Sequence, residues 1–176
     1  MKKFLVSERL YLREISEDDL HLLFELHRDA EVMEYIRPPE TTIEETAVTF
    51  KRIQSTNKYK EGLGLWMCHE NSSDLFIGWF ILKNLDDTDD IEIGYRLHKK
   101  FWGKGFATEM SKVLLKKGFE NPKLEKIVGA THPANKASQH VLEKIGMKFA
   151  RIQHVYRTDA WIYECFNPRG MSYPFF

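Results

Sequence analysis

Two glycines, Gly103 and Gly105, separate a strand-like run from a helix-like run, and this junction limits the fold more than any other feature of the sequence. The strand-like run is Ile91–Leu97, and the helix-like run carries an apolar stripe that includes Met110 and Val113. Since glycine has no Cβ, the backbone between the runs can turn tightly and direct several amide N–H groups to one point. The helix N-terminus adds unpaired N–H groups and a positive dipole end, so the junction predicts a phosphate-binding turn.

Side chains in the same stretch favour a phosphate ligand. Lys100 and Lys104 add positive charge, and Thr108 offers a hydroxyl in the first helical turn. Two other phosphate motifs do not fit. The nucleotide P-loop pattern G-x-x-x-x-G-K-[ST] is absent, and a dinucleotide fingerprint needs a third glycine where Thr108 stands. The remaining alternative is a helix that starts after a tight turn and binds no ligand.

The pattern of the whole chain predicts a single α+β domain with a mixed, mostly antiparallel sheet. Strand-like runs occur at seven places, residues 9–15, 65–69, 75–85, 91–97, 126–131, 152–156 and 161–166. Helices are expected to start at four places, near Ser16, Thr42, Gly105 and Asn135, with a shorter helical turn at 32–36. No repeat or linker divides the chain, so residues 1–176 are expected to form one domain.

Charge and cysteine usage exclude several classes of protein. The 26 basic residues balance the 26 acidic ones, which removes the positive field that non-specific nucleic-acid binding needs. No apolar segment is long enough to cross a membrane, and the sequence predicts a cytoplasmic protein. Cys68 and Cys165 are isolated, and the seven histidines show no ligand spacing, so neither a disulfide nor a metal site is expected.

A second polar motif lies downstream, in the helix that begins near Asn135. Asn135 is a good N-cap and Gly146 a good C-terminal stop, while apolar residues between them form a buried face. This structural interpretation explains the segment except for Ser138 and the polar residues around it.

Four motifs, in order and at consistent spacings, resemble the GNAT superfamily of acetyl-CoA-dependent N-acetyltransferases. They are Ser7-Glu8-Arg9-Leu10-x-Leu12-Arg13, Ile91-Glu92-Ile93-Gly94-Tyr95-Arg96-Leu97, Gly103-Lys104-Gly105-Phe106-Ala107-Thr108-Glu109 and Asn135-x-x-Ser138-x-x-Val141-Leu142-Glu143-Lys144-x-Gly146. Within the superfamily, the sequence is most similar to the ribosomal-protein-alanine N-acetyltransferase branch. The resemblance covers nearly the whole chain.

The resemblance implies a seven-stranded sheet, flanked by about four helices, that splays between the strands ending at Leu97 and Thr131. The pantetheine arm of coenzyme A would lie in the gap and pair with the backbone like an added strand. Its diphosphate would rest on the amides of residues 100–108. The residues implied to hold the cofactor are Tyr95, Leu97, Lys100, Gly103, Lys104, Gly105, Ala107, Thr108 and Asn135.

The resemblance also implies catalytic roles for Glu92 and Ser138. An acceptor amine is mostly protonated at neutral pH, so a base must deprotonate it before it attacks the thioester, and Glu92 stands at the family's position for that base. Ser138 would donate a proton to the departing thiolate. A backbone amide of residues 95–97 is the expected donor to the oxyanion. The alternatives are a surface glutamate at the sheet edge and a serine that bonds its own backbone.

The acceptor is an amine, and its identity stays open: a protein N-terminus, a polyamine, an amino acid or an antibiotic. Contacts to it are expected from the segment Arg37-Pro38-Pro39-Glu40 and from Tyr156, Trp161 and Tyr163 of the last hairpin. His98 and His132 are expected to flank the cleft. A catalytically silent acyl-CoA-binding module is the alternative to an enzyme. The sequence does not decide between a monomer and a homodimer, nor the role of the apolar tail at 171–176.

Overall fold

The computed structural model describes residues 2–86 and 88–168, with the side chain of Lys60 excepted. Within them the strands are β1 (Lys3–Val6), β2 (Leu10–Glu14), β3 (Gly64–Glu70), β4 (Phe76–Asn84), β5 (Ile91–Leu97), β6 (Lys126–Thr131), β7 (Lys148–Val155) and β8 (Thr158–Phe166). The α-helices are α1 (Leu20–His27), α2 (Ala30–Met33), α3 (Ile43–Thr56), α4 (Phe106–Gly118) and α5 (Lys136–Lys144). The apolar tail at 171–176 lies outside the described residues. No described helix has the length and apolar character to cross a membrane.

The strands form one mixed sheet in the order β1-β2-β3-β4-β5-β6-β8-β7. Neighbouring strands run antiparallel except for β5 and β6, which are parallel and share a single residue pair, Glu92 with Val128. Beyond that pair the two strands part toward Leu97 and Thr131. The expected splay is therefore present, and it leaves one side of β5 without a strand partner.

Helices cover both faces of the sheet because neighbouring residues of a buried strand point to opposite sides. Trp66 of β3 packs in a cluster with Met110 and Leu114 of α4. Met67, the next residue, packs instead with Leu23 of α1 and Phe50 of α3. The sheet is thus a middle layer, with α4 and α5 on one face and α1 and α3 on the other.

Helix boundaries follow local chemistry closely. Thr42 caps α3 by accepting a hydrogen bond from the Glu45 amide at 3.3 Å, and the Glu45 carboxylate in turn accepts from the Thr42 amide at 3.4 Å. Gly105 caps α4 with a φ of 80°, a left-handed conformation that favours glycine. The α+β class and the helix starts predicted from the sequence are confirmed.

The predicted strand count of seven is wrong, because β1 adds an eighth strand. This segment is short and stops at Ser7, so its sequence gives little sign of a strand. Tertiary packing defines it: β1 pairs with β2, and the Phe4 ring stacks on Trp66 with centroids 4.6 Å apart. The last hairpin also differs from the prediction, since its turn is at Tyr156 and Arg157.

Candidate active site

The turn between β5 and α4 presents a row of free backbone donors. Gly103 and Gly105 both have left-handed φ angles, 72° and 80°. A Cβ at Gly103 would meet nothing within 4 Å, and one at Gly105 only the Arg9 guanidinium at 3.5 Å, so the space above the turn is open. Within the described part of the chain, the N–H groups of residues 103–108 have no hydrogen-bond acceptor. Such a row of donors at a helix start suits an anion.

Two lysines stand beside this row. The Nζ atoms of Lys100 and Lys104 lie 5.0 and 5.4 Å from the centre of the Phe101 ring. Both side chains are exposed, and neither pairs with a carboxylate among the described residues. Thr108 lies in the first turn of α4, and Ala107 packs against the core while its amide belongs to the free row. The stretch therefore brings together two positive charges and unpaired donors, which fits the diphosphate of coenzyme A.

Tyr95 of β5 and Ser138 of α5 meet across the gap between β5 and β6. Burial raises the pKa of the Tyr95 phenol to about 12, and a hydrogen bond from the Ser138 side chain partly offsets this. Asn135 caps α5 by accepting from the Ser138 amide at 3.0 Å. The Ser138 hydroxyl thus faces Tyr95, and no bond from it to its own backbone is present in the described structure. The Leu97 carbonyl is already engaged, since it accepts from the Trp102 indole at 2.9 Å.

Glu92 is buried, with only 5% of its surface exposed, which excludes the alternative of a surface glutamate. Its carboxylate pairs with Lys83 Nζ at 2.7 Å and accepts a hydrogen bond from the Tyr156 hydroxyl. Burial raises the pKa of Glu92, and the charge of Lys83 opposes that shift. Glu92 is therefore a desolvated carboxylate held by two partners, a suitable environment for a general base.

Tyr156 is a further residue of this site. The sequence predicted it only as a contact to the acceptor. It occupies the turn between β7 and β8 with a φ of 52°, and Arg157 follows with 64°, both left-handed. Its hydroxyl also accepts from Lys83 Nζ at 2.6 Å and from the Asp86 amide at 3.2 Å. The turn is 64 residues from Glu92 in sequence, so no local pattern signals the contact.

A cleft of about 480 Å³ opens beside Tyr156 on the side of the sheet that carries α2. Its wall consists of Ala30, Met33, residues 34–39, His132 and residues 156–158. Tyr35 and His132 stack across it with ring centroids 5.5 Å apart. Of the predicted acceptor contacts, Arg37, Pro38, Pro39 and Tyr156 line this cleft.

The other predicted acceptor contacts and His98 are placed elsewhere. Trp161 packs under the Lys136 ammonium at 4.9 Å, and Tyr163 is buried in the core. His98 contacts Phe76 edge-on at 5.5 Å. The side chains of Trp161, Tyr163 and His98 pack against other residues. The sequence did not reveal these contacts.

Glu40 lies beneath the cleft as a buried anchor and is not part of its wall. Its carboxylate accepts hydrogen bonds from Arg37 and from Thr49, the latter at 2.9 Å, and it contacts His27 Nδ1 at 3.1 Å. Burial by itself would raise the pKa of Glu40. Hydrogen bonds from His27 and Thr46 have the larger, opposite effect and hold the pKa below its ordinary range. The anchor fixes the segment that carries Arg37.

No group of three or more potential metal-ligating side chains occurs in residues 2–86 and 88–168. The structure thus provides a row of unpaired backbone amides, a buried carboxylate and two hydroxyl groups, those of Tyr95 and Ser138, near the point where β5 and β6 part.

Comparison with known proteins agrees with this arrangement. Residues 9–148 match the family model of the acetyltransferase (GNAT) domain. The uncharacterized protein YkkB of Bacillus subtilis is 28% identical over 168 residues, covering 93% of this chain and 95% of YkkB.

Two solved structures share the fold. RimL, a ribosomal L7/L12 alpha-N-protein acetyltransferase in complex with coenzyme A, superposes with a TM-score of 0.78 at 18% identity, over 94% of this chain and 98% of RimL. Spermidine N-acetyltransferase from Vibrio cholerae, in complex with CoA and spermine, superposes with a TM-score of 0.72 at 18% identity, over 90% and 94% of the two chains.

Proposed function

The chain belongs to the GNAT acetyltransferase family and uses acetyl-CoA as its acetyl donor, and from this premise we propose that it acetylates the N-terminal amine of a peptide or protein. The acceptor lies in the cleft beside Tyr156 and attacks the thioester directly. The amine nitrogen adds to the thioester carbonyl to give a tetrahedral oxyanion, the C–S bond then breaks, and coenzyme A leaves as its thiol.

One observation carries the proposal: Tyr156 belongs both to the wall of the cleft and to the hydrogen-bond partners of Glu92. An ammonium group in the cleft passes a proton to the Tyr156 oxygen while Tyr156 passes its own proton to Glu92. Burial and, after it, the charge of Glu92 raise the pKa of the Tyr156 phenol. The phenol is therefore protonated between turnovers. Glu92 accepts the proton as general base, since its own pKa is raised.

The gap between β5 and β6 receives the thioester and the pantetheine arm. Beyond Glu92, the β5 backbone has no strand partner on that side, so its free groups pair with the arm. A backbone amide of residues 95–97 stabilises the oxyanion. The hydroxyl groups of Ser138 and Tyr95 pass to the leaving thiolate the proton that the nitrogen loses as it becomes an amide, so that both hydroxyls end neutral, and the proton held by Glu92 returns to solvent. The diphosphate rests on the amides of residues 103–108, beside Lys100 and Lys104.

RimL, whose name gives a ribosomal protein as its substrate, supports a peptide acceptor and a relation to the ribosomal-protein branch. The spermidine enzyme has the same fold, so a polyamine acceptor is the competing outcome. A panel of peptide amines, amino acids and polyamines, assayed by thiol release from acetyl-CoA, separates the two.

The catalytic roles are tested by Glu92→Gln and Ser138→Ala with the best acceptor of that panel. We expect Glu92→Gln to lower kcat about 100-fold or more, because general base catalysis typically contributes that much. We expect a smaller loss of kcat for Ser138→Ala, because a thiolate leaves readily even without a proton donor.

Calorimetry with coenzyme A is the control, and its affinity should not change in either variant. Because burial raises the pKa of Glu92, wild-type kcat/KM should fall as the pH is lowered, starting above the range of an ordinary glutamate. If both variants turn over as fast as the wild type, Glu92 is not the general base and Ser138 is not the proton donor, although the proposal for coenzyme A binding is unaffected.

A further inference from the structure

Arg96 is a half-buried cation whose Nε donor has no acceptor among the described residues. It lies on β5 opposite Trp79 of β4, with its guanidinium carbon 4.7 Å from the centre of the Trp79 ring. Its Nε is buried and has no hydrogen-bond partner, and no carboxylate accepts from its guanidinium within the described structure. Burial lowers the pKa of Arg96 to about 9. A buried N–H donor without an acceptor is costly, and a bound acceptor group would relieve that cost.

The groups around Arg96 leave one positive charge in excess. Arg37 is close enough for its charge to lower the pKa of Arg96 further, and Glu40 is the nearby carboxylate. Glu40 is already engaged by Arg37, Thr46 and Thr49 and contacts His27. Burial lowers the pKa of His27, so the imidazole is neutral near pH 7. Two guanidinium groups therefore share one carboxylate.

Arg96 is not part of the wall of the cleft; a chain of contacts through Trp79, His27 and Glu40 links it to Arg37, which does belong to the wall. Arg37 lines the cleft with 41% of its side chain exposed, so the positive region reaches the acceptor space. Glu34 and Arg157 are the other charged side chains of the wall, and they cancel each other. The acyl end of acetyl-CoA is uncharged. An acceptor that carries a carboxylate would supply the missing counter-charge.

We propose that the acceptor is an acidic peptide, whose carboxylate near the N-terminal amine pairs with Arg96 and Arg37 while the amine faces Tyr156. This inference rests on the proposed function and names its substrate class. Glu92 and Arg96 lie on the same face of β5, four residues apart, which is about 13 Å along a strand. A free α-amino acid holds its carboxylate close to its amine, whereas an acidic side chain at the second or third residue of a peptide lies farther from the N-terminal amine, in the direction of Arg96 and Arg37. A polyamine would place further positive charge beside two guanidinium groups.

The test compares acceptors that differ in one charge. Peptide amides of the form X-Asp-Ala and X-Asn-Ala, with X as Ala, Ser, Gly or Met, have the same shape and differ in the carboxylate. We expect the wild-type protein to favour the Asp peptide at least tenfold in kcat/KM, because a charge-assisted bidentate pair is lost with Asn. Most of the difference should appear in KM, since the contact is made before the chemical step.

Variants assign that preference to Arg96. Arg96→Gln should bring the Asp-to-Asn ratio near one, and Arg96→Lys should restore part of it, because lysine keeps the charge but not the planar fork. Arg52→Gln, an exposed arginine of α3 outside the cleft, is the matched control and should keep the full ratio. Circular dichroism and coenzyme A affinity verify that each variant is folded.

The outcomes separate this inference from the proposed function. A wild-type ratio of one or below overturns the acidic acceptor even where peptide amines are acetylated, and this comparison needs no variant to fold. An unchanged ratio in a folded Arg96→Gln overturns the role of Arg96. Turnover of polyamines in preference to all peptides, or of no amine by a protein that binds coenzyme A, overturns the proposed function together with the inference.

Discussion

Asp19 shows how a single buried carboxylate ties the start of the chain to the sheet. It accepts two hydrogen bonds from Arg13, at 2.6 and 2.7 Å, and one from the Ser16 amide at 2.8 Å. Burial would raise the pKa of Asp19, but the bonds from Arg13 and Ser16 outweigh it and lower the pKa. The pair lies on the face of β2 that α1 covers, where water does not screen it.

Replacing Asp19 with Asn should lower the free energy of unfolding by about 3 kcal/mol at neutral pH, because the Arg13 charge stays buried without its partner. A lowered folded-state pKa contributes stability that is complete above the ordinary pKa and is lost as the pH falls through the folded value. The difference in the free energy of unfolding between wild type and variant should therefore become smaller below about pH 4. Urea denaturation at several pH values measures it. Asp18→Asn, in the same turn but exposed, is the control, and an equal loss there would contradict the assignment.

At the scale of elements, the junction of β5 and α4 has the tight backbone turn that its two glycines predict. The left-handed φ angles at positions 103 and 105 leave the amides of residues 103–108 unpaired and the space above them open. The proposed site for the diphosphate consists mostly of backbone groups. The main requirement on its side chains is therefore that they leave the backbone amides accessible.

Gly105→Glu should weaken the affinity for coenzyme A at least tenfold, because the new carboxylate competes for the free amides and repels the diphosphate. Isothermal titration calorimetry measures the affinity. Gly62→Glu is a matched control, since Gly62 also has a left-handed φ, 77°, and open space around it. Both variants carry the same backbone strain, so equal affinities in the two would show that the turn does not bind the diphosphate.

At the scale of the whole molecule, the β4–β5 pair and a turn far away in sequence meet at Glu92. Lys83 comes from β4, Glu92 from β5 and Tyr156 from the turn between β7 and β8. The turn reaches Glu92 because β8 pairs with β6, which stands next to β5 at the point where the sheet splays. The fold therefore joins the cleft to the proposed base.

Tyr156→Phe should lower kcat about as much as Glu92→Gln, and the double variant should lose little more than either single variant, because the two residues act in one proton path. Affinity for coenzyme A should stay unchanged, which makes it the control for folding. Additive losses, measured by thiol release for the four proteins of the cycle, would show that Tyr156 and Glu92 act independently.

The sequence was most informative where the chemistry is local. The capping box at Thr42 and Glu45, the left-handed glycine before α4 and the cap of α5 at Asn135 each depend on residues within one turn of one another, so their patterns predicted the elements correctly. Strand β1 was missed because it is only four residues long and its Phe4 ring packs on Trp66, which is distant in sequence, although its partner β2 follows directly in the chain.

By itself, the sequence determined the α+β class, the glycine turn before α4 and the positions of Glu92 and Ser138 in their elements, because spacing along the chain fixes which residues share a strand, a turn or a helix face. Only the tertiary structure decided what those residues contact. The burial of Glu92 beside Tyr156, the meeting of Tyr95 with Ser138 and the unpaired Arg96 behind the cleft all result from packing between distant segments. Such contacts depend on where the sheet splays and which face each helix covers, and no local pattern encodes either.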